Sequence, residues 1–277
     1  MKEKWIQEIQ TQGYCRIPQV YSPEEVEQGL KMTRYWYEKS KGMVSSRLSA
    51  LTKNDLYLWN PHYKDHFFLD LFFRPKILQD IMMHFLNDQW FRAIPADEPN
   101  YILQNLMGRS SDQKLALHID SFVPYHSEFV YMLQASVILE EQNENNGCTV
   151  VIPGSHLSGK YADQSAFDQA VPVLSQPGDL IIWDSRIWHG TMANNTEGTR
   201  WSIIAAFSRW WIKQMFNYTD NLPQEIYEKL TDNQKAIVGF CSIAYNDEQE
   251  GIDRKRGYDT LLQNVEDYRH KHLPEVV

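Results

Sequence analysis

The spacing of apolar residues changes character near residue 100. Before that point the chain reads as helical. Ser22-Pro23-Glu24-Glu25 is a helix start, with Ser22 as the cap, proline in the first turn and glutamate three residues after the cap. The helical pattern then runs to about Lys39. Ile77, Leu78, Ile81, Met82 and Phe85 form one stripe, which predicts a second helix over 75–85. Residues 14–20 read as a short strand. From Tyr101 onward β-rich runs follow one another at 101–107, 115–122, 132–139, 148–153, 179–183, 187–192 and 200–207. Turn signals separate them, among them Asn143-Glu144-Asn145-Asn146-Gly147, Pro153-Gly154-Ser155, Pro177-Gly178-Asp179 and Asn194-Asn195. Short strands so spaced predict a mostly β fold with α additions, a double-sheet jelly roll, in preference to a parallel α/β sheet. Helical patterning returns around 224–238, before a polar stretch at 247–256. No repeat or linker divides the chain. The expectation is one domain over 1–277: a helical part to about 95, a jelly-roll core over about 100–212, and a helical tail over 213–277.

Composition narrows the function. The net charge is −9 without any Lys/Arg block, which argues against a nucleic-acid partner. No run of about 18 apolar residues suggests a membrane span, and Met1 to Gly13 lacks the apolar stretch of a secretion signal. Cys15, Cys148 and Cys241 lie far apart with no C-x-x-C spacing, as expected of a soluble protein in a reducing, cytoplasmic setting. Nine Trp, fifteen Tyr and twelve Phe are enough to line a deep pocket for a small-molecule substrate. The sequence says nothing of oligomeric state.

Candidate chemistry begins at Leu115-Ala116-Leu117-His118-Ile119-Asp120. Period-two alternation would put Ala116, His118 and Asp120 on one face, so an imidazole and a carboxylate could share a metal. Two histidines and one carboxylate, with open positions, form the facial triad of non-haem iron(II) oxygenases. An H-x-D pair alone is weak. The second half strengthens it: the turn at Gly178-Asp179 enters a strand that leads to His189, and Arg200-Trp201-Ser202 follows. Arg200 and Ser202 would share a face. A guanidinium fork there suits the far carboxylate of a dicarboxylate cosubstrate.

With these residues in order, the chain resembles the phytanoyl-CoA dioxygenase family of iron(II)/2-oxoglutarate oxygenases. The likeness rests on His118-x-Asp120, on Asn146-Gly147-Cys148-Thr149 through Pro153-Gly154-Ser155-His156, on Pro177-Gly178-Asp179, on His189-Gly190 and on Arg200-x-Ser202. These span about residues 103–211, and the joint pattern is far more specific than any piece. The resemblance implies a double-stranded β-helix, ferrous iron, and conversion of 2-oxoglutarate and O2 to succinate and CO2, with ascorbate as a helpful reductant. It also implies His118, Asp120 and His189 as ligands, Arg200 and Ser202 as the 2-oxoglutarate clamp, and Gln104 and Thr149 as further contacts to 2-oxoglutarate or substrate. Halogenases of this fold replace the carboxylate ligand with a small residue. Asp120 therefore points to hydroxylation or a related C–H oxidation such as desaturation or ring closure.

Rival residues were weighed against these. His126-x-Glu128 is a second H-x-E pair, but Pro124 interrupts any strand joining it to Asp120, and His126 reads better as a substrate contact at the pocket mouth. His156 has permissible ligand spacing, yet in Pro-Gly-Ser-His it reads as organising the turn. His62, His66, His84, His270 and His272 read as ordinary core or surface histidines. Trp183, Trp188, Trp201, Trp210 and Trp211 read mainly as core or pocket wall, with Trp188 and Trp210 as candidate substrate contacts. Substrate identity is not legible: a coenzyme A thioester lacks its basic patch, leaving a specialised metabolite, an amino-acid derivative or another small polar compound. A non-catalytic jelly-roll binding protein and a 2-oxoglutarate-independent metalloenzyme are the alternatives. Neither requires Arg200-x-Ser202.

Overall fold

A computed structural model describes residues 2–45, 48, 55–88, 94, 97–243 and 248–249. The 213–277 tail is therefore seen only in its first half, and His270 and His272 lie outside the described residues. The helical first part opens with α1 (Lys2–Gln12), β1 (Tyr14–Ile17) and α2 (Pro23–Ser40). The start of α2 is the expected one. Glu25 N–H donates to Ser22 Oγ at 3.3 Å, and Ser22 N–H donates back to Glu25 Oε2 at 2.8 Å. Three elements follow: β2 (Asp55–Trp59), α3 (Phe67–Phe73) and α4 (Lys76–Leu86), the last being the predicted second helix. A strand at 55–59 was not anticipated inside a segment read as helical.

The remaining strands are β3 (Tyr101–Ser111), β4 (Leu115–His118), β5 (Met132–Ile138), β6 (Thr149–Val151), β7 (Val171–Pro172), β8 (Leu180–Asp184), β9 (His189–Thr191) and β10 (Ser202–Arg209). Three short helices close the described chain: α5 (Tyr218–Asn221), α6 (Gln224–Tyr227) and α7 (Asp232–Val238). All pairings are antiparallel. One sheet runs β1-β8-β5-β10-β3-β2 and the other β4-β9-β6-β7, which is the expected jelly roll.

Alternation divides the larger sheet. Leu106, Ala135, Ile182, Ile203 and Phe207 face outward into one continuous core with Phe68, Phe72, Ile81 and Met82 from α3 and α4. Ile138, Ile181 and Trp183 face inward and meet Val151 and Ile187 between the sheets. The helices thus close one side of the sheet and leave the other to the site. Among the described residues no helix is long and apolar enough to cross a membrane.

His62 is wholly buried in the outer core, edge-on to the rings of Tyr63 and Tyr218, each with its centroid at 4.8 Å. Neither of its ring nitrogens has a partner among the described residues. Burial, assisted by Lys64, pushes its pKa down from 6.5 to about 3. The unfolded chain then binds a proton that the fold refuses, so stability is present above pH 6.5 and is lost as pH falls toward 3. The slope from this one group reaches about 1.4 kcal/mol per pH unit. His62→Phe should therefore show a smaller drop in urea midpoint between pH 7.5 and pH 5 than the unaltered protein. Equal drops would remove His62 as the cause.

Candidate metal centre

Two strand ends and one bend converge on a point between the sheets. His118 ends β4 and pairs directly with His189, which begins β9. Leu115 pairs with Thr191, so three steps along β4 oppose two along β9, and one residue bulges. The alternation expected over 115–120 is broken there: Ala116 is exposed and Leu117 buried. Nor does the strand continue to 122. The N–H groups of Asp120 and Ser121 both donate to the Ser185 carbonyl, at 2.7 and 2.9 Å. A bend held from the β8–β9 connection brings in Asp120, where the sequence had suggested a pleat.

His118 Nε2 lies 3.5 Å from Asp120 Oδ1, and His189 Nε2 lies 3.3 Å from Asp120 Oδ2. The three donor atoms lie within 4.8 Å of one another. Each imidazole is oriented alike: His118 Nδ1 sits 3.0 Å from the Ala116 carbonyl and His189 Nδ1 3.1 Å from the Ile187 carbonyl. A carbonyl only accepts, so Nδ1 carries the hydrogen and the lone pair of each neutral ring sits on Nε2, facing Asp120. When the rings are instead protonated, with Nε2–H toward Asp120, burial still opposes ionisation of Asp120, but the charge of His189 and hydrogen bonds from both imidazoles outweigh it and hold the carboxyl far below its usual range. His118 is raised, its hydrogen bond to Asp120 overcoming the downward pull of burial. Nitrogen and oxygen donors so clustered, with the rings locked, fit a divalent cation such as iron(II).

Gly190 makes the bulge possible. A Cβ there would stand 2.4 Å from the Leu115 carbonyl oxygen and 3.2 Å from that of Ala116. The Ala116 carbonyl is the one that orients His118. On the other ring's side, Trp188 N–H donates to Ser155 Oγ at 2.8 Å, fixing the backbone just before His189.

Arg200 lies just before β10, not on it as expected, since the strand opens at Ser202. Its N–H donates to Ser110 Oγ at 2.9 Å. Its guanidinium is buried, and neither Nε nor Nη2 has a partner among the described residues. Burial first, then the nearby Arg109, pushes its pKa down to about 10. A buried cation with idle donors calls for an anion. Ser202 shares the inward face with its cross-strand partners Arg109 and Ile138. Thr149 pairs with Thr191, and Val151, two residues along the same face, pairs with His189. Thr149 therefore faces the histidine. Gln104 is differently placed: its amide nitrogen donates to Ser208 Oγ at 2.6 Å and to the Ile212 carbonyl at 2.8 Å, leaving only an acceptor oxygen.

The remaining candidates separate. His126 is exposed, with Nδ1 at 2.5 Å from the Leu157 carbonyl, and Trp188 Nε1 donates to the Lys160 carbonyl at 3.0 Å, so both stand over the 157–160 segment. The Trp210 indole is tied to Asp88, just beyond α4. His156 is buried with Nε2 at 3.1 Å from the Gln10 carbonyl, a brace for the end of α1 and no member of the donor cluster. Three residues near the site had been missed. Tyr57 pairs with Arg109, and Arg109 Nε and Nη2 donate to Asp55 Oδ2 at 3.1 and 2.7 Å. For Asp55 and Tyr57 the signal was the alternation of Asp55, Tyr57 and Trp59 with Leu56 and Leu58, hidden in a segment read as helix.

Fold and donor cluster together define a jelly-roll protein with a three-donor site able to hold a metal ion. The sequence profile of the phytanoyl-CoA dioxygenase (PhyH) family matches residues 9–202. The chain belongs to that family and is an oxygenase. Dioxygenase af480 of Aspergillus fumigatus is 26% identical over 248 residues, 86% of this chain and 76% of that protein. Dioxygenase trt7 of Aspergillus terreus is 31% identical over 186 residues, 62% of each chain. The epimerase SnoN, solved with Fe3+, alpha-ketoglutarate and nogalamycin RO, shares the fold with a TM-score of 0.59 at 19% identity, over 80% of this chain and 90% of that one. HygX of Streptomyces hygroscopicus, solved with nickel, 2-oxoglutarate and hygromycin B, does so with a TM-score of 0.60 at 16% identity, over 77% and 90%.

Gly190→Ala should press on the Ala116 carbonyl and turn His118. Outer-shell partners of ligating histidines are worth about 10–100-fold in metal affinity. Calorimetric titration with Co(II) should show a loss of that order while circular dichroism stays unchanged. Unaltered affinity would show that the bulge does not orient His118.

Proposed function

We propose that this chain is an iron(II)- and 2-oxoglutarate-dependent dioxygenase that oxidises a C–H bond of a small-molecule metabolite. The reading assigns His118, Asp120 and His189 as metal ligands and Arg200, with Ser202, to the far carboxylate of 2-oxoglutarate. Its main support is the pair of unpartnered, buried donors on Arg200, which a metal site without a dicarboxylate cosubstrate would not need. When bound, ferrous iron with 2-oxoglutarate and O2 supplies the oxidising power, the cosubstrate leaving as succinate and CO2.

The chain's own residues then have separable tasks. Two locked imidazoles and the Asp120 carboxylate bind the metal and leave coordination positions for cosubstrate and O2. Arg200 orients the cosubstrate by a paired contact in a poorly hydrated interior. Thr149 faces His189 and can donate its hydroxyl to the bound acid. Gln104, with both amide hydrogens committed, offers a carboxylate only repulsion, so its role is to hold Ser208 and the turn at Ile212. His126 and Trp188 close the rim over 157–160. The solved neighbours include an epimerase and a carbocyclase, so the fold serves more than hydroxylation. For this chain hydroxylation or another C–H oxidation is favoured, because Asp120 fills the position that a halide would take.

Truncating one partner of a buried charge pair costs roughly 2–5 kcal/mol, about 30-fold to several-thousand-fold in affinity. Arg200→Ala should weaken 2-oxoglutarate binding by that range and leave iron binding nearly unchanged; Arg200→Lys should recover only part. Anaerobic titration of the iron–2-oxoglutarate charge-transfer absorption measures both, and identical titrations in Arg200→Ala and the unaltered protein would move the clamp elsewhere.

His118→Ala, Asp120→Ala and His189→Ala should each retain the fold and lose iron-dependent succinate release in the presence of ascorbate. With chloride present, the unaltered enzyme should yield oxygenated or dehydrogenated product. A chlorinated product in the mass spectrum would refute the role given to Asp120.

A further inference from the structure

Beside the metal centre, the inward face of the larger sheet carries apolar side chains that remain half-buried. Trp59 on β2 pairs with Met107 on β3, and Met107 pairs with Ile204 on β10. Tyr57 stands one step along β2, its ring stacked on that of Trp59 with centroids 5.2 Å apart and planes 18° from parallel. Direct cross-strand partners share a face. Here it is the face of Arg109 and Ser202, opposite the one on which Leu58 and Ile203 are buried. All four side chains are only half-buried, although they lie on the inward face of a jelly roll. Tyr57, Trp59 and Met107 belong to neither hydrophobic core. Trp59 meets the Phe216 ring at 5.8 Å and Ile204 packs against the inner core, which holds both in place, while Tyr57 and Met107 beside them stay only partly covered. Large apolar side chains held partly covered on an inward face are the wall of a binding cleft.

Strand pairing places this wall beside the clamp: Tyr57 pairs with Arg109, and Arg109 with Ser202. Burial raises the Tyr57 hydroxyl, and the charges of Arg109, Asp55, Asp120 and Arg200 act on it as well. The charges nearby are already committed: Arg109 is neutralised by Asp55, and Arg200 serves the cosubstrate.

An independent feature lies on the segment that follows Asp120. The segment after Asp120 exposes Phe122 (79%) and Phe129 (53%), and Trp211 (53%) stands beside Tyr131. These aromatics are built into the rim. Arg186 donates to the Ser127 carbonyl at 2.6 Å and lies over the Tyr125 ring, and Arg209 lies over the Phe129 ring at 3.5 Å. Phe122 holds a left-handed backbone, φ +63°, which a bulky residue adopts at some cost.

Resting on the iron/2-oxoglutarate reading, we infer that the substrate is a neutral, hydrocarbon-rich, ring-bearing molecule, seated against Tyr57, Trp59, Met107 and Ile204 and entering past Phe122. Amino-acid derivatives and other small polar compounds, open on the sequence alone, do not match that wall.

The test is calorimetric titration of the anaerobic iron(II)–2-oxoglutarate protein with a matched set: decalone as the neutral probe, decalin carboxylate and decalin amine as its charged counterparts. Decalone should bind, and the charged pair should bind at least about tenfold more weakly. Phe122→Asn suits the left-handed backbone and sits in solvent, so the fold is retained; it should weaken decalone binding at least about fivefold. Met107→Gln, close in volume, should do the same from inside the cleft. Failure of decalone to bind, equal or tighter binding of either charged probe, or unchanged affinity in both variants would overturn the inference. The charge-transfer absorption of the same samples reports separately on iron and 2-oxoglutarate, so a missing band would count against that reading and leave the probe titration to judge this one.

Discussion

Pairing of His118 with His189 across β4 and β9 is the constraint from which the rest of the centre follows. The two imidazoles can point their Nε2 atoms at a common spot only because one residue of β4 bulges, and the bulge fits only because position 190 has no side chain. The carbonyl displaced by the bulge, that of Ala116, is then the acceptor that fixes the His118 tautomer. Asp120 joins from the far side because strand pairing has ended and its N–H has turned to Ser185. Backbone geometry of this kind does not relax when a side chain moves, which is the rigidity a metal centre needs.

Away from the metal, polarity is arranged by depth. Buried polar groups are ordinarily satisfied within the protein. Arg186 is, by Asp184 and the Ser127 carbonyl, and through it the segment after Asp120 is anchored to the β8–β9 connection. Arg209 is, by three backbone carbonyls. Among the described residues Arg200 Nε and Nη2 are not, and burial, with Arg109 nearby, pushes its pKa down to about 10. The contrast among three arginines, two structural and one idle, separates scaffold from site more sharply than residue type alone. The inward face makes a corresponding contrast for apolar groups: Ile138, Ile181 and Trp183 pack against Val151 and Ile187, whereas Tyr57 and Met107 on the same face belong to neither core.

Much of this was legible in the chain. The capping box at Ser22, the stripe over 75–85 and the run of short strands each rest on spacing between near neighbours, and local physics decides them. His118, Asp120, His189 and Arg200 could be picked out because metal binding and carboxylate pairing demand particular atoms, so residue type and order already carry the chemistry. His156 could be set aside because its turn motif explained it. Other features depended on contacts between distant segments. The bend at Asp120 is held by Ser185, 65 residues later in the numbering. The amide hydrogens of Gln104 go to Ser208 and the Ile212 carbonyl, a partnership set by segments about a hundred residues away. Asp55 and Tyr57 meet Arg109 because β2 joined the sheet's edge beside β3. The sequence by itself thus determined which atoms can do chemistry, since that is a property of side chains. The tertiary structure alone decided which polar atoms remain unsatisfied and which apolar ones uncovered, since each of those depends on what the rest of the chain leaves beside it.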